Sequence, residues 1–423
     1  MNNQGSFTSL IVVVAVGLIF GSLLRLQPLS SANDRSRWST VWSLNAGQGY
    51  VIDESPYATI DKVKRGDHFY SSKPALLPTL IAGLVWGIGL LTGMTLPDHQ
   101  DFMVRFVLVL INLIPFAWLL VLYSRLLQRL GFDTSTVHYC LCAAGLGTYL
   151  TAYSVTLNNH TMAAVAVFFA LYCFIHIAHE GQREWKYFAV CGLCSAWAVA
   201  NEMPALPLAL VLMGWLFRIS PKATAAWFLP AAVLVGAAFM TTLYLSTGGV
   251  LPYYLYFDTP LYHYEGSYWN QPKGIDAADD PKWFYLFNLV LGHHGILSLT
   301  PVFILSFAGF FVKDRLRGIY RLGGVLTAAM VVFYTLHTNN YGGNCQGARW
   351  LFWLIPFWLL TLPAVVRQVL PIRRYRWIAY LLLIVSLASV GFALSGHKEI
   401  GRPGPWSSSW LHLAMRSAGW IDY

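Results

Sequence analysis

Carboxylates are concentrated in one charged stretch of this chain, residues 33–78, which lies between two apolar segments. Asp34 comes first in this stretch and is flanked by Arg35 and Arg37. A carboxylate beside cations near a bilayer surface remains ionised and can act as a general base. A solvated loop acid is the alternative interpretation of Asp34. The other acids of the stretch are Asp53, Glu54, Asp61 and Asp67.

Two cations in otherwise apolar surroundings could bind an anion. Lys73 stands directly before Pro74, at the start of an apolar segment. Arg349 ends the glycine-rich sequence GGNCQGAR, just before another apolar segment. A guanidinium preceded by flexible glycines is well suited to clamp a phosphate group. The alternatives are that Lys73 is an anchor reaching the bilayer surface, and that Arg349 is buried beside a carboxylate such as Glu202.

Glu202 is a single acid in a long apolar part of the chain. It is the only acid between Glu184 and Asp258, and Pro204 follows it closely. An ionisable group near the membrane is a functional candidate, because it is costly to keep there.

Further polar side chains stand where apolar segments begin. Asn159 and His160 could bind sugar hydroxyls, or the polar cluster could simply cap a helix. His293 and His294 could be a proton shuttle or metal ligands, or they could form structural hydrogen bonds. The sequence leaves these alternatives open.

The composition restricts the class of protein. The chain has 423 residues, of which 56% are hydrophobic, 15% aromatic and only 11% charged, whereas about a quarter of the residues in a soluble domain are charged. This composition predicts a polytopic membrane protein. The net charge of +9 comes from basic residues in short connections between apolar segments, so nucleic-acid binding is not expected. Most cysteines lie in apolar segments, so no disulfide framework is expected.

Apolar segments of helical length are distributed along the whole chain. The first, residues 8–24, is predicted to be a retained helix, since the residues before it contain no Lys or Arg, and a cleaved signal peptide is the alternative. Most of the others approach the roughly 20 residues that a membrane-spanning helix needs. They are residues 75–95, 105–123, 137–152, 161–178, 187–201, 204–217, 224–246, 291–312, 322–337, 350–366 and 376–395.

Basic residues predict the orientation of these segments. Half of the Lys and Arg residues lie in five short connections, and the connections that alternate with them are nearly free of both. By the positive-inside rule the basic connections and the N-terminus are expected in the cytoplasm. The basic residues concerned are Arg125, Arg129, Arg183, Lys186, Arg218, Lys222, Lys313, Arg315, Arg317, Arg321, Arg367, Arg373, Arg374 and Arg376.

The same alternation predicts the extracytoplasmic parts of the chain. Residues 75–95 must begin and end on the outer side, which favours an in-plane or re-entrant helix. Eleven membrane-spanning helices then remain, in a single all-α domain that covers residues 1–423. The outer pieces are a first loop at 26–104, a large loop at 247–290 and a tail at 396–423. Tyr and Trp in the large loop suit an interfacial belt or a carbohydrate platform.

These elements together resemble the membrane glycosyltransferases of the GT-C superfamily. A first span, an outer loop with an acid near its start, and the sequence YSSKPALLP from Tyr70 to Pro78 are similar to protein O-mannosyltransferases and lipid A aminoarabinose transferases. The superfamily commonly has KPPL where this chain has KPAL. The eleven spans, the large outer loop and GGNCQGARW before a late span are also similar. The resemblance covers residues 1–130 best and the remainder by topology.

The resemblance implies a reaction and roles for individual residues. Such enzymes transfer a sugar from a polyprenyl-phosphate donor to a lipid, glycan or protein acceptor on the outer face of the membrane, with inversion at the anomeric carbon. Asp34 would be the catalytic base, and Lys73 and Arg349 would hold the donor phosphate. Glu202 would supply a second carboxylate, because the outer loop where the family usually has an acid has none here. The residues expected to contact substrate are Tyr70, Asn159, His160, His293 and His294.

Cofactor use and two other function classes stay open in the sequence. The first loop has no clear Asp-x-Asp motif, and Asp276, Asp279 and Asp280 form only a loose acidic cluster, so a divalent cation is neither implied nor excluded. The main alternative function is a transporter or lipid flippase, which would carry ionisable groups near mid-span in paired broken helices. A membrane protein without activity is another. The expected location is the bacterial inner (plasma) membrane, with the active site on its outer side.

Overall fold

The structure, a computed structural model, describes residues 3–396 and 404–423. It is mostly helical, and the described residues contain one two-stranded sheet, a β-hairpin in which β1 (Lys62–Arg65) pairs antiparallel with β2 (His68–Ser71). The α-helices are α1 (Asn3–Arg25), α2 (Ala32–Asn45), α3 (Leu76–Thr92), α4 (Gln100–Leu108), α5 (Ile114–Arg129), α6 (Thr134–Leu146), α7 (Tyr149–Tyr153), α8 (Asn159–His179), α9 (Trp185–Asn201), α10 (Leu206–Ile219), α11 (Pro221–Ala223), α12 (Leu229–Thr247), α13 (Lys282–Val290), α14 (Ile296–Leu299), α15 (Phe303–Gly309), α16 (Arg317–His337), α17 (Ile355–Val369), α18 (Arg373–Ser395) and α19 (Trp410–Ser417).

The architecture is that of an all-α membrane protein, as the sequence predicted. Within the described residues, seven helices are long and apolar enough to cross a membrane. Three of them join neighbouring helical elements, two through a π-helical turn and one through a 3₁₀-helical turn. The seven are Ser6–Arg25, Gln100–Arg129, Asn159–His179, Pro221–Thr247, Arg317–His337, Arg349–Val369 and Arg373–Ser395.

Two of these long helices form the centre of the bundle. In the most apolar 18-residue stretch of each helix, 83% of Asn159–His179 and 89% of Arg349–Val369 are buried, whereas only 22% of Pro221–Thr247 is buried. The outer helices therefore expose apolar side chains, which is expected where lipid replaces water as the solvent. The Tyr123 hydroxyl donates to the carbonyl of Leu359 at 2.6 Å and so fixes α5 against α17 in this apolar interior.

The basic connections come together at one end of the bundle. Arg129 lies 3.6 Å from Glu180, and Nη2 of Arg315 donates to the carbonyl of Arg129. The guanidinium of Arg367 stacks on Phe132 in the same region. At a rise of 1.5 Å per residue, α8 places its first residue roughly 30 Å from this end. The two ends of α8 are thus separated by about the thickness of a hydrocarbon layer.

Several predicted segments fold differently from a single span. Residues 137–152 are divided between α6 and α7, and residues 291–312 form the short helices α14 and α15 on either side of Pro301, which lacks an N–H for a helical hydrogen bond. Helices α9 and α10 are shorter than the candidate spans. Of the predicted tail at 396–423, residues 397–403 lie outside the described residues.

The stretch 33–78 is more regular than its sequence pattern predicted. It contains most of α2 and the whole hairpin. Ser31 caps α2, and the turn between β1 and β2 is made by Gly66 and Asp67, where Gly66 has φ +61°. The predicted apolar helix in the first loop is present as α3, which begins shortly after Lys73.

Candidate active site

Asp34 lies in the first turn of α2 and is held by the cap of that helix. Oγ of Ser31 accepts a hydrogen bond from the backbone N–H of Asp34 at 3.0 Å and donates to its Oδ2 at 3.1 Å. This pair has the spacing of a capping box. Oδ1 accepts from the backbone N–H of Leu157 at 2.9 Å, so the carboxylate joins α2 to the segment before α8.

Burial changes the proton affinity of this carboxylate. Asp34 is only 3% exposed. Burial raises its pKa from 3.8 to about 6, against the lowering effect of the Arg37 charge and of the hydrogen bonds from Ser31 and Leu157. Most molecules then carry an ionised Asp34 at pH 7, and this carboxylate binds a proton more firmly than a solvated aspartate does. Both properties suit a general base.

Arg37 is the cation whose charge acts on Asp34, and it stands almost one helical turn after it, on the same face of α2. It is 2% exposed, and Nη2 donates to Oδ1 of Asn159. Burial lowers the pKa of Arg37 to about 10, so it remains cationic at neutral pH. Its charge acts on the carboxylates of Asp34, Asp61 and Glu202.

Lys73 stands where β2 leads into α3, and it is paired with an acid of the same loop. Nζ lies 2.5 Å from Oδ2 of Asp61, and the Ser72 hydroxyl donates to Oδ1 of Asp61. Burial lowers the pKa of Lys73 to about 8, while the Asp61 charge opposes this change. Lys73 therefore carries its charge at neutral pH with a carboxylate beside it, and both the Arg37 and Arg349 charges act on it.

A chain of polar contacts joins Glu202 to Arg349 through His160. Nη1 of Arg349 lies 2.9 Å from Nε2 of His160, and Nδ1 of His160 contacts Oε1 of Glu202. Because a guanidinium can only donate, Nε2 must accept, and the proton of the neutral imidazole is on Nδ1. Burial raises the pKa of Glu202 from 4.5 to about 8, although the charges of Arg349 and Arg37 lower it.

Arg349 is held by the glycine-rich loop that precedes it. Nη2 donates to the carbonyl of Gly342 at 2.6 Å, and the guanidinium lies 4.9 Å from the ring centroid of Trp406. Gly342 has φ +88°, and a β-carbon there would lie 2.8 Å from Nε of Arg349. Only glycine gives the guanidinium this room.

Asn159 connects the two parts of the site. Its Nδ2 donates to Oε1 of Glu202 at 2.5 Å and to the carbonyl of Asn201 at 2.9 Å, while its Oδ1 accepts from Arg37. The preceding residue, Asn158, caps helix α8, because its Oδ1 accepts from the backbone N–H of Thr161 at 2.8 Å. Seven charged or titratable side chains thus meet at one end of the bundle, and we term them the charged cluster: Asp34, Arg37, Asp61, Lys73, His160, Glu202 and Arg349.

The large loop at 247–290 covers one side of the charged cluster. The backbone N–H of Lys64 in β1 donates to the carbonyl of Leu261 at 2.9 Å, and Val63 packs with Tyr253 and Tyr262. When Glu202 is ionised, its charge reaches Tyr254 of the same loop. Aromatic side chains therefore lie beside the charges, as a carbohydrate platform would require.

Three predicted substrate contacts lie outside the charged cluster. Tyr70 is on β2, with its ring centroid 6.2 Å from that of Tyr253. Nδ1 of His293 lies 2.5 Å from Nδ1 of His294, and His294 contacts the Cys345 thiol at 3.4 Å. The two histidines form a neighbouring cluster, and the Arg349 charge reaches His294.

The acids of the large loop do not gather around one point. The Tyr268 hydroxyl donates to Asp276, Asn339 donates to Asp279, and the Tyr341 hydroxyl donates to Asp280. Among residues 3–396 and 404–423, no three His, Cys, Asp or Glu side chains are placed to hold a metal ion.

Two residues of the charged cluster were not predicted as site residues. Arg37 was treated as a neighbour of Asp34, and Asp61 as one of several loop acids. The Ser31-x-x-Asp34 capping box was the available signal for Arg37, because a helix starting at Ala32 places Asp34 and Arg37 on one face. Asp61 has no comparable local signal.

No protein-family model matches this chain, and a search of curated proteins found no match either. What the charged cluster can do therefore follows from its own geometry.

Proposed function

We propose that this chain is an integral-membrane glycosyltransferase that transfers a sugar from a polyprenyl-phosphate donor to an acceptor, with inversion at the anomeric carbon. The observation that carries the proposal is that a buried carboxylate, ionised at neutral pH yet able to take up a proton, lies in one cluster with three cations. Asp34 is the carboxylate, and Arg37, Lys73 and Arg349 are the cations. Sugar transfer from a lipid phosphate requires a base for the acceptor and a group that binds the leaving phosphate.

The reaction is a displacement at the anomeric carbon. An acceptor hydroxyl attacks this carbon while the bond from the carbon to the phosphate oxygen breaks. Asp34 accepts the proton of the hydroxyl, and the bonding electrons leave with the polyprenyl phosphate. A buried base with a pKa of about 6 is ionised before the reaction and able to take up the proton as the new bond forms.

The leaving phosphate gains negative charge during this step, and nearby cations stabilise it. Lys73 and Arg349 come from distant parts of the chain, yet the Arg349 charge acts on Lys73, so the two cations lie in one site. Arg349 is fixed by Gly342 and His160, so little reorganisation is needed when the charge develops. A phosphate can replace part of the Asp61 contact of Lys73.

Glu202 and His160 have a supporting role in this proposal. At neutral pH the raised pKa of Glu202 keeps it largely protonated, while its Oε1 accepts from Asn159 and lies beside Nδ1 of His160. His160 in turn accepts from Arg349. The pair therefore orients the phosphate-binding guanidinium and does not compete with Asp34 as the base.

The proposal includes the arrangement that the resemblance to the GT-C superfamily implies. It comprises eleven spans, an in-plane α3, and a charged cluster on the outer side of a bacterial inner membrane. The gathering of the basic connections at the end of the bundle opposite the start of α8 supports this orientation. The donor tail would enter from the lipid, so no nucleotide-binding motif is needed.

Sugar transfer by the purified protein tests the proposal. Radiolabelled sugars on polyprenyl phosphate are supplied in detergent together with lipid acceptors, and the wild type is compared with Asp34→Asn. Asp67→Asn is the matched control, since Asp67 is an exposed acid of the same loop. We expect transfer by the wild type and the control, and a loss of at least a thousandfold in Asp34→Asn, about the contribution of general-base catalysis. Equal rates in all three proteins would refute the assignment of the base.

A transporter or flippase is the second candidate, and one observation favours it. Helix α9 ends at Asn201 and α10 begins at Leu206, with the buried Glu202 between them, and broken apolar helices with an ionisable residue occur in transporters. Movement of a labelled sugar lipid from one leaflet of a vesicle membrane to the other, without covalent transfer, would support this class instead.

A further inference from the structure

A cleft lies at the basic end of the bundle, at the opposite end of α8 from the charged cluster. Its volume is about 340 Å³, and its walls come from the C-terminal turns of α8 and α10 and the first turn of α16. Phe174 and Ile319 form a buried apolar floor. The rings of Phe174 and Trp215 pack 5.4 Å apart along one wall. The interior of the cleft is therefore apolar.

Cationic and polar groups surround the mouth of this cleft. Arg218 and His179 are both exposed at the rim. In the part of the chain that the structure describes, Arg218 has no ion-pair or hydrogen-bond partner. Gly318 lies in the first turn of α16, and the unpaired N–H groups of a helix start favour an anion.

The acids near the rim are already engaged. Glu180 lies 3.6 Å from both Arg129 and His176. Oδ1 of Asp314 accepts from the backbone N–H of Leu316 at 2.8 Å. Arg218 is left with uncompensated positive charge above an apolar cavity. An occupant that matches this cleft has an anionic head and an apolar tail.

We propose that this cleft binds an anionic phospholipid, with the phosphate at Arg218 and one acyl chain along Phe174 and Trp215. Basic pockets between membrane helices bind anionic lipid head groups in this manner. The cleft lies about a hydrocarbon thickness from the start of α8, so a lipid of the membrane leaflet at the basic end is in reach. The site does not depend on the reaction proposed for the charged cluster.

Native mass spectrometry of the full chain in detergent tests this site with phosphatidylglycerol and phosphatidylcholine. Arg218→Gln removes the charge. Gly318→Phe fills the cleft, because no atom lies within 4 Å of a β-carbon at this glycine. Arg373→Gln is the matched control, since Arg373 is an exposed arginine at the start of α18.

We expect the first phosphatidylglycerol to bind the wild type and Arg373→Gln roughly fivefold more tightly than phosphatidylcholine, the effect of one surface arginine. Arg218→Gln should lose this preference, and Gly318→Phe should lose the first bound lipid of both kinds. Unchanged thermal unfolding in detergent shows that the variants are folded. An unaltered preference in Arg218→Gln would overturn the proposal, as would displacement of the lipid by equimolar inorganic phosphate, which would identify a soluble phosphate as the ligand.

Discussion

Nζ of Lys73 lies 2.5 Å from Oδ2 of Asp61, and both side chains are largely withdrawn from solvent. The charge of Asp61 raises the pKa of Lys73, whereas burial lowers it to about 8. The acid thus helps to keep the lysine charged at the pH where it would bind a donor phosphate. Asp61 is in this sense a positioning residue that acts through Lys73.

Asp61→Asn is expected to shift the pH dependence of donor binding. In the wild type the donor KM should rise as the pH increases through about 8, where Lys73 loses its proton. Without the Asp61 charge this proton is lost at lower pH, so at pH 8 we expect a donor KM roughly tenfold above that of the wild type, the effect of one charge-assisted hydrogen bond. Superimposable KM profiles would contradict the coupling. Asp67→Asn should retain the wild-type profile.

The pH dependence of catalysis should report on Asp34. Below its pKa of about 6 the carboxylate is protonated and cannot act as a base, so kcat/KM should rise with pH and level off above about 6. Initial rates between pH 4.5 and 7.5, with donor below its KM, measure this profile. A plateau that continues down to pH 4.5 would mean that a different group accepts the proton.

The stability of the folded protein should also depend on the protonation of Asp34, but it should fall over the pH range in which the activity rises. Asp34 has a folded-state pKa of about 6 and an ordinary value of 3.8, so the folded state binds its proton more tightly than the unfolded state. The contribution of Asp34 to stability therefore falls as the pH rises through this window, by about 3 kcal/mol in total. Asp34→Asn removes this dependence. We expect its melting temperature in detergent to exceed that of the wild type at pH 7.5 and to match it more closely at pH 4.5. A constant difference would exclude the effect.

The charged residues of the site could be selected from the sequence, but their pairing could not. Asp34, Lys73, Glu202 and Arg349 are ionisable groups on an apolar background, and such groups are functional candidates wherever they occur in a membrane protein. His160 and Arg349, however, are 189 residues apart in sequence. Only the packing of α8 against the central helix at Arg349–Val369 brings them together.

Some of the helices could likewise be predicted from the local sequence, whereas others depend on tertiary contacts. Apolar runs near 20 residues predicted α1, α8, α16 and α18 closely, because burial of apolar side chains in lipid requires this length. Residues 291–312 are as apolar, yet they form two short helices around Pro301. Helix α2 has many buried polar residues that bond to other loops, so no hydrophobic period marks it.

Gly342→Ala should displace the Arg349 guanidinium. The new β-carbon would lie 2.8 Å from Nε of Arg349, and the residue has φ +88°. Gly47→Ala is the matched control, with φ +76° and no atom within 4 Å of the β-carbon. Both variants carry a backbone strain of roughly 1 kcal/mol, so the melting temperatures should fall similarly. We expect transfer to drop about a hundredfold only in Gly342→Ala, since a displaced charged donor weakens transition-state stabilisation. Equal activity in the two variants would show that the position of Arg349 is not critical.

Glu202 can be tested by separating its charge from its hydrogen bonds. Its pKa of about 8 means that the neutral acid predominates at pH 7, and Gln is a close copy of the neutral acid. Glu202→Gln keeps an Oε1 acceptor for Asn159 beside His160, whereas Glu202→Ala removes it and leaves Nδ2 of Asn159 with only its hydrogen bond to the carbonyl of Asn201. At pH 7 we therefore expect the transfer rate of Glu202→Gln to lie within about threefold of the wild-type rate. The transfer rate of Glu202→Ala should fall about tenfold or more, the effect of losing one buried hydrogen bond. If Glu202→Gln instead lost activity as completely as Asp34→Asn, the ionised form of Glu202 would be required, and Glu202 would take part in proton transfer.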